Sequence, residues 1–322
     1  TRARTPNIDR LAGEGTALTR CFTQMTLCSP SLCGMFTARY PHTLGHRSLV
    51  SLLKPEERNL FRDLRDAGYH NVAYGKNDLL ARESIPLCFE EPEWWFTPDP
   101  ASEYTPARPE KGSKWHRTFY LGRRRGEDCH DGDWACVQNA MRFLEDPPTE
   151  PFCLYLPLGF VHPPYQVEEP FFSMHGREEV PDPIPAEPGA KRKYARVLHK
   201  AHGIDKLGTE DLKEIKRVYF GMVSRIDRQV GQIVEKLKEE GLYEDTIIAL
   251  FSDHGDYTGD YGLIEKYLCG FEDCMLHVPL MLRGPGVPSG PAREGLCEMT
   301  DLYPTLMELV GLEPRHRHFG RS

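Results

Sequence analysis

Residues 27–42, LCSPSLCGMFTARYPH, place Cys28 directly ahead of Ser29, Pro30 and Ser31 at the mouth of a predicted helix. A helix N-terminus favours an anion and activates a thiol, so Cys28 reads as a nucleophile or an anion-binding position. Four residues on stands Leu32, where anion chemistry would call for a cation. Three other positions share one kind of setting. Ser252, Asp253, His254, Gly255 and Asp256 follow the apolar run TIIALF, Gly75 and Lys76 follow NVAY, and His162 follows LYLPLGFV. Taken singly, the aspartate reads as a cap, the histidine as a structural group and the lysine as a solvated charge. Together, at the ends of apolar runs and beside Cys28, they read as one rim.

The elements that must hold this rim alternate along the chain. Residues 70–76, 151–162, 245–256 and 277–286 have continuous apolar runs and are expected as buried strands. Between them PNIDRLAGEG, RNLFRDLRDAGY and DWACVQNAMRFLED have helical spacing. The longest helix is expected from an N-cap at Thr209 to a stop at Gly241, burying Leu212, Ile215, Tyr219, Met222, Ile226, Val230, Ile233 and Leu237. The pattern predicts an α/β fold with a mostly parallel central sheet covered by helices on both faces. Chemistry in such sheets collects beyond the carboxyl ends of the strands. Residues 90–128 and 167–208, dense in proline, glycine and charge, read as long loops rather than a second domain. Trp94, Trp95, Lys114, His116 and Arg123 to Arg125 could line a pocket for an anionic substrate, although a solvated surface is the commoner role for such residues.

Composition removes several classes. The chain is 39% hydrophobic and 27% charged, as expected of a soluble globular protein. A net charge of -8 gives no general electrostatic reason to bind nucleic acid or an anionic membrane. No run approaches the ~18 apolar residues of a membrane span. Ten cysteines without a C-x-x-C pair argue against a zinc ribbon or a thioredoxin-type redox site. They sit in apolar runs and polar loops alike, so the compartment, cytoplasmic or exported, stays open.

The sequence resembles the sulfatases of the alkaline phosphatase superfamily. TPNIDRLAGEGTALTRCFTQMTLCSPS with FTARYPH resembles the family's opening block, and AGYHNVAYGK its next strand. FVHPPY resembles its histidine motif, FSDHGDYTGDYGLIEK its metal block, and HVPLMLRGPG, TDLYPTLMELVGL and FGRS its closing blocks. The blocks keep family order across nearly the whole chain. The resemblance implies an alkaline phosphatase-like fold in a single catalytic domain over residues 1–322. The family's first strand, with paired acidic metal ligands, is expected ahead of Thr1, and its C-terminal subdomain after FGRS.

It also implies roles. Cys28 matches the cysteine that a formylglycine-generating enzyme oxidises to formylglycine, whose hydrate attacks the sulfur of a sulfate ester. Asp253 and His254, with Cys28 at the same point, match the site of a divalent cation, commonly calcium, with magnesium an alternative. Lys76 and Lys266 match the lysines that contact the sulfate, and His162 the histidine beside the leaving oxygen. The implied substrate is a small-molecule or carbohydrate sulfate ester. A phosphate or phosphonate ester hydrolase of the same superfamily, or a catalytically impaired anion-binding homologue, are the alternatives. Three positions depart from the pattern: Asn77 and Asp78 follow Lys76 where an aromatic residue and a histidine are usual, and Leu32 replaces the arginine of C-x-P-x-R. Arg39 or Arg47 could supply that charge instead.

Overall fold

In this computed structural model, residues 2–90, 93–94, 108–124, 131–185, 193–268 and 270–322 are described. The chain opens with α1 (Pro6–Glu14), β1 (Thr16–Phe22), α2 (Cys28–Thr37), α3 (Leu60–Asp66), β2 (His70–Gly75), α4 (Ile85–Cys88), β3 (Glu93–Trp94) and β4 (Tyr120–Arg123). It continues with α5 (Gly132–Glu145), β5 (Phe152–Tyr155), β6 (Tyr165–Val167), α6 (Lys193–Ala201), α7 (Thr209–Glu239) and β7 (Ile248–Phe251). It closes with α8 (Asp273–Leu276), β8 (His277–Arg283), β9 (Arg293–Glu298) and α9 (Leu302–Leu309).

Four strands lie in the order β7-β8-β1-β9 and three in the order β3-β2-β5, with β4 and β6 forming a separate pair. The α/β architecture is as expected. The sheet is mixed, however, because β8 runs antiparallel to both β1 and β7, while β1–β9, β2–β3 and β2–β5 are parallel. Between β7 and β8 the described residues hold only a 3-10 turn at Asp260–Gly262 and the four-residue α8, with no long crossover helix, and β8 returns antiparallel beside β7.

Two apolar layers sandwich the sheets. Phe152 and Leu154 of β5 and Ile248 and Leu250 of β7 pack on the layer containing Leu11, Leu144, Val234 and Leu237. The alternate residues Cys153, Tyr155, Ala249 and Phe251 pack on the opposite layer with Phe36 and Phe61. The period of two thus splits both strands between the same two cores. Yet β5 pairs only with β2, and β7 only with β8, among the described residues. Each keeps an edge of unpaired backbone and is partly exposed along its whole length.

Several element ends differ from the sequence expectation. Residues 151–162 yield a strand of only four residues, because Pro157, Pro163 and Pro164 cannot extend a ladder. The residue capping α7 is Gly208 rather than Thr209, and Asp211 accepts the Gly208 N–H at 3.1 Å. The stretch 167–208, expected as loop, contains α6.

Candidate active site

α2 starts at Cys28 because Leu27 is still extended and Pro30 falls in the first turn, where a missing N–H costs nothing. All ten residues of α2 are buried. Burial pushes the Cys28 thiol up to about 12; the Asp253 carboxylate adds to the rise, and the Lys266 and Lys76 ammonium groups only partly oppose it. Burial and the neighbouring carboxylate thus work against the activation expected from the helix N-terminus. Desolvation beside a carboxylate disfavours the thiolate of the unmodified side chain.

Cys28 Sγ lies 3.3 Å from His254 Nε2. The turn after β7 that presents Asp253 and His254 is fixed by Gly255, where an added Cβ would sit 1.9 Å from the Cys274 carbonyl oxygen. His254 Nδ1 faces the Gly255 carbonyl at 2.8 Å, which places its proton there and leaves the Nε2 lone pair free. Nε2 is also 3.5 Å from Asp253 Oδ2. One donor atom each from Cys28, Asp253 and His254 lie within 4.8 Å of one another, a spacing a single cation can bridge. Ser31 of α2 donates to the Asp253 carbonyl at 2.6 Å, tying the two segments together. Asp256 takes no part in that group. Its carboxylate accepts from Tyr165 Oη and the Thr258 amide, both at 2.8 Å, and Tyr165 Oη accepts the Glu265 amide at 2.7 Å.

The cations arrive from three other segments. β2 ends at Gly75, whose φ of +150° and close approach to Pro157 exclude a side chain; a Cβ would meet the Pro157 carbonyl oxygen at 2.4 Å. The next amide, that of Lys76, donates to the same carbonyl at 2.9 Å. Burial pulls the Lys76 ammonium down, but Asp78 at 2.7 Å, with Cys28 and Asp253 nearby, more than restores it and holds it above its usual range. Lys266, 6% exposed, donates to His162 Nε2 and to Glu265 Oε1, the latter at 2.8 Å. His162 Nδ1 donates to the Pro163 carbonyl at 2.7 Å, so Nε2 is the acceptor facing Lys266. Burial, reinforced by the Lys266 charge, lowers the His162 pKa below the ordinary imidazole range.

The structure thus brings together Cys28, Lys76, His162, Asp253, His254 and Lys266. It does not bring Leu32, which is buried in the apolar layer with Phe36, Leu53 and Phe61. Arg39 donates to the Arg317 carbonyl at 2.9 Å and Arg47 is exposed, leaving neither engaged with Cys28. Lys114 pairs with Asp211, Arg123 with Glu169 and Arg124 with Asp131, while His116 faces the Pro109 carbonyl. Trp95, Arg125 and the Trp94 side chain lie outside the described residues. Two acids escaped the sequence reading as members of the site. Asp78 and Glu265 each pair a site lysine, and their only signal was a carboxylate next to or two residues from that lysine.

A family model described as Sulfatase matches residues 1–312. The chain is 24% identical over 379 residues to the multifunctional alkaline phosphatase superfamily protein PehA of Trinickia caryophylli, with 99% of this chain and 70% of that protein covered. It is 26% identical over 344 residues to a sulfatase of Formosa agariphila, covering 99% of this chain and 66% of the relative. The crystal structure of the phosphonate monoester hydrolase of Agrobacterium radiobacter superposes with a TM-score of 0.81 at 24% identity, over 100% of this chain and 72% of that one. The chain therefore spans about two-thirds of the length of these relatives. With its block order, its alkaline phosphatase-like fold and a family match over nearly every residue, the chain belongs to the sulfatase family.

Proposed function

We propose that this chain is the catalytic part of a sulfuric ester hydrolase acting on a carbohydrate or aryl sulfate, with Cys28 converted to formylglycine. The observation that carries the reading is the convergence of Cys28 with two lysines, a histidine and an Asp–His pair, drawn from five segments of the chain. Conversion requires a formylglycine-generating enzyme and an external oxidant. The hydrated aldehyde then supplies one hydroxyl to attack sulfur and a second whose deprotonation releases sulfate.

The donor set suits a divalent cation in part. Asp253 offers a hard oxygen and His254 a free Nε2, and at position 28 a hydroxyl oxygen in place of a neutral thiol sulfur is the better partner for calcium or magnesium. Such a cation contributes positive charge against the sulfate oxygens. Calcium takes six to eight oxygens, so further ligands are needed. The unpaired edges of β5 and β7, clasped by common cores, suit one more strand, and the family resemblance puts an acidic strand ahead of Thr1.

Lys76 and Lys266 hold the non-bridging sulfate oxygens, opposing the charge that builds there as the S–O bond breaks. His162 accepts from Lys266 at Nε2; once Lys266 turns to the sulfate oxygens, Nε2 takes up a proton from solvent and passes it to the departing alcohol oxygen. A phosphonate or phosphodiester substrate is the second reading, because the matched fold is shared with phosphonate monoester hydrolases. The test is the mass of the Cys28 peptide from protein made in its native host, followed by turnover of 4-nitrophenyl sulfate against a matched phenylphosphonate ester. An aldehyde with preferred sulfate turnover supports the reading. Preferred phosphonate turnover replaces it with the second, and an unmodified thiol without turnover leaves an anion-binding homologue.

A further inference from the structure

Beneath the turn that carries His162 lies a buried group of charges that the chemistry above does not use. α5 begins with Gly132 and Asp133, and its N-cap Asp131 accepts the Trp134 amide at 3.0 Å. Asp133 is 3% exposed. Its two carboxylate oxygens accept consecutive amides, Gly159 at 2.8 Å and Phe160 at 2.7 Å. The Gly159 carbonyl accepts the His162 amide at 2.9 Å. Residues 159–162 therefore form a turn whose first two members are held by Asp133 and whose fourth is His162.

The same turn is gripped from its other side. The Phe160 ring lies under the Arg225 guanidinium at 3.9 Å, with Arg124 at 5.5 Å. Arg225 is wholly buried and bonded to Asp131 at 2.5 Å and Glu168 at 2.7 Å. A carboxylate buried this deeply is costly to keep, and burial pushes the Asp133 carboxyl above its ordinary range despite the two amides. An ordinary turn needs no such anchor, since water satisfies its amides. What this turn has in addition is His162, whose side chain must keep Nδ1 on the Pro163 carbonyl and Nε2 toward Lys266. Glu265 and Lys76 are the other charged groups near that ring.

We propose that Asp133 is the positioning residue for His162, fixing through the amides of Gly159 and Phe160 the turn that aims Nε2 at the leaving oxygen. The inference rests on the reading of His162 as proton donor in ester hydrolysis. Two assays test it, both on the protein as its native host makes it. In the first, kcat of formylglycine-bearing protein is compared for an alkyl sulfate, whose alcohol must be protonated as it leaves, and for 4-nitrophenyl sulfate, whose phenolate leaves unaided. Asp133→Ala should lose about tenfold or more in excess on the alkyl ester, a part of the ~10²–10⁴ that a positioned acid supplies, with Asp133→Asn between it and wild type. Equal losses on both esters overturn the proposal.

The second assay needs no turnover. Imidazole ¹H–¹⁵N correlations, with His162 identified by its loss in His162→Ala, should show the Nδ1–H tautomer diluted and the titration midpoint raised in Asp133→Ala. An unchanged His162 signal in folded protein overturns the proposal. Should Asp133→Ala not fold, Asp133→Asn and Phe160→Leu loosen the same turn from its two sides and carry the same expectations. A wild type without sulfate-ester turnover refutes the functional reading, while the spectrum still decides the positioning.

Discussion

Replacing Leu32 by arginine restores the family's C-x-P-x-R pattern in sequence, and the structure predicts what it does to the fold. Leu32 is 7% exposed and packs among Phe36, Leu53 and Phe61, so its side chain is held by the core. Removing it from that layer forfeits ~1.5–3 kcal/mol of apolar burial. The longer guanidinium adds ~1–3 kcal/mol of overpacking if it stays inside, and a charge without a partner adds several kcal/mol more unless it turns outward. Held inside that layer, the guanidinium costs more than about 5 kcal/mol by these terms, against a total stability of ~5–15 kcal/mol. At ~2–4 °C per kcal/mol, Tm should drop by about 10 °C or more. Leu32→Met, of nearly equal volume, should cost less than ~1.5 kcal/mol and serves as the control. Thermal melts followed by circular dichroism read the stability, and peptide mass spectrometry after co-expression with a formylglycine-generating enzyme reads conversion of Cys28. A Leu32→Arg protein as stable as wild type would refute the reasoning, because its guanidinium would then have reached the pocket instead of the core. Complete conversion of Cys28 with leucine in place would show that no cation is needed at position 32.

Other expectations follow from single groups. Alanine at Lys76 or at Lys266 should lower kcat/KM for a sulfate ester about a hundredfold, the scale for losing one preorganised contact to developing charge; wild-type kcat/KM in either variant removes that lysine from the site. Asp253, His254 and Cys28 give too few donors for calcium, so calorimetry on this chain alone should show weak calcium binding or none, and tight binding would contradict the need for further ligands. Glu214 gives an acid-stability limb. Burial opposes its ionisation, but bonds from Arg217, Arg177 and Tyr120 prevail and bring its pKa down to about 2. A depressed carboxyl stabilises the fold above its unfolded value of about 4.5 and loses that contribution as pH falls toward 2. Glu214→Gln should therefore lower Tm most near neutral pH, with the gap to wild type narrowing between about pH 4.5 and 2; a gap independent of pH would refute this.

The sequence alone determined the strands β2, β5, β7 and β8 and the helices α1, α2, α3, α5 and α7, because apolar period and punctuation by glycine and proline are local properties, while α6 fell in a stretch read as loop. It also determined the candidate residues, since Lys76, His162, Asp253 and His254 each follow an apolar run, and block order fixed Cys28 and Lys266 beside them. What it could not determine is how those groups meet. Lys266 on His162 Nε2 and Asp256 on Tyr165 are contacts across 104 and 91 residues, made only when the layers close. Closure also decides the antiparallel β8, the core placement of Leu32 and the unpaired edges of β5 and β7. The same step sets the chemistry of each group. A helix N-terminus in isolation favours a thiolate at Cys28, whereas burial beside Asp253 pushes its pKa up. Asp133 is only the first residue of the helical pattern DWACVQNAMRFLED in sequence, and the fold alone sets its carboxylate under two amides of the His162 turn. Periodicity is written residue by residue, but desolvation and charge pairing depend on which distant segments pack together, and that is settled by tertiary structure.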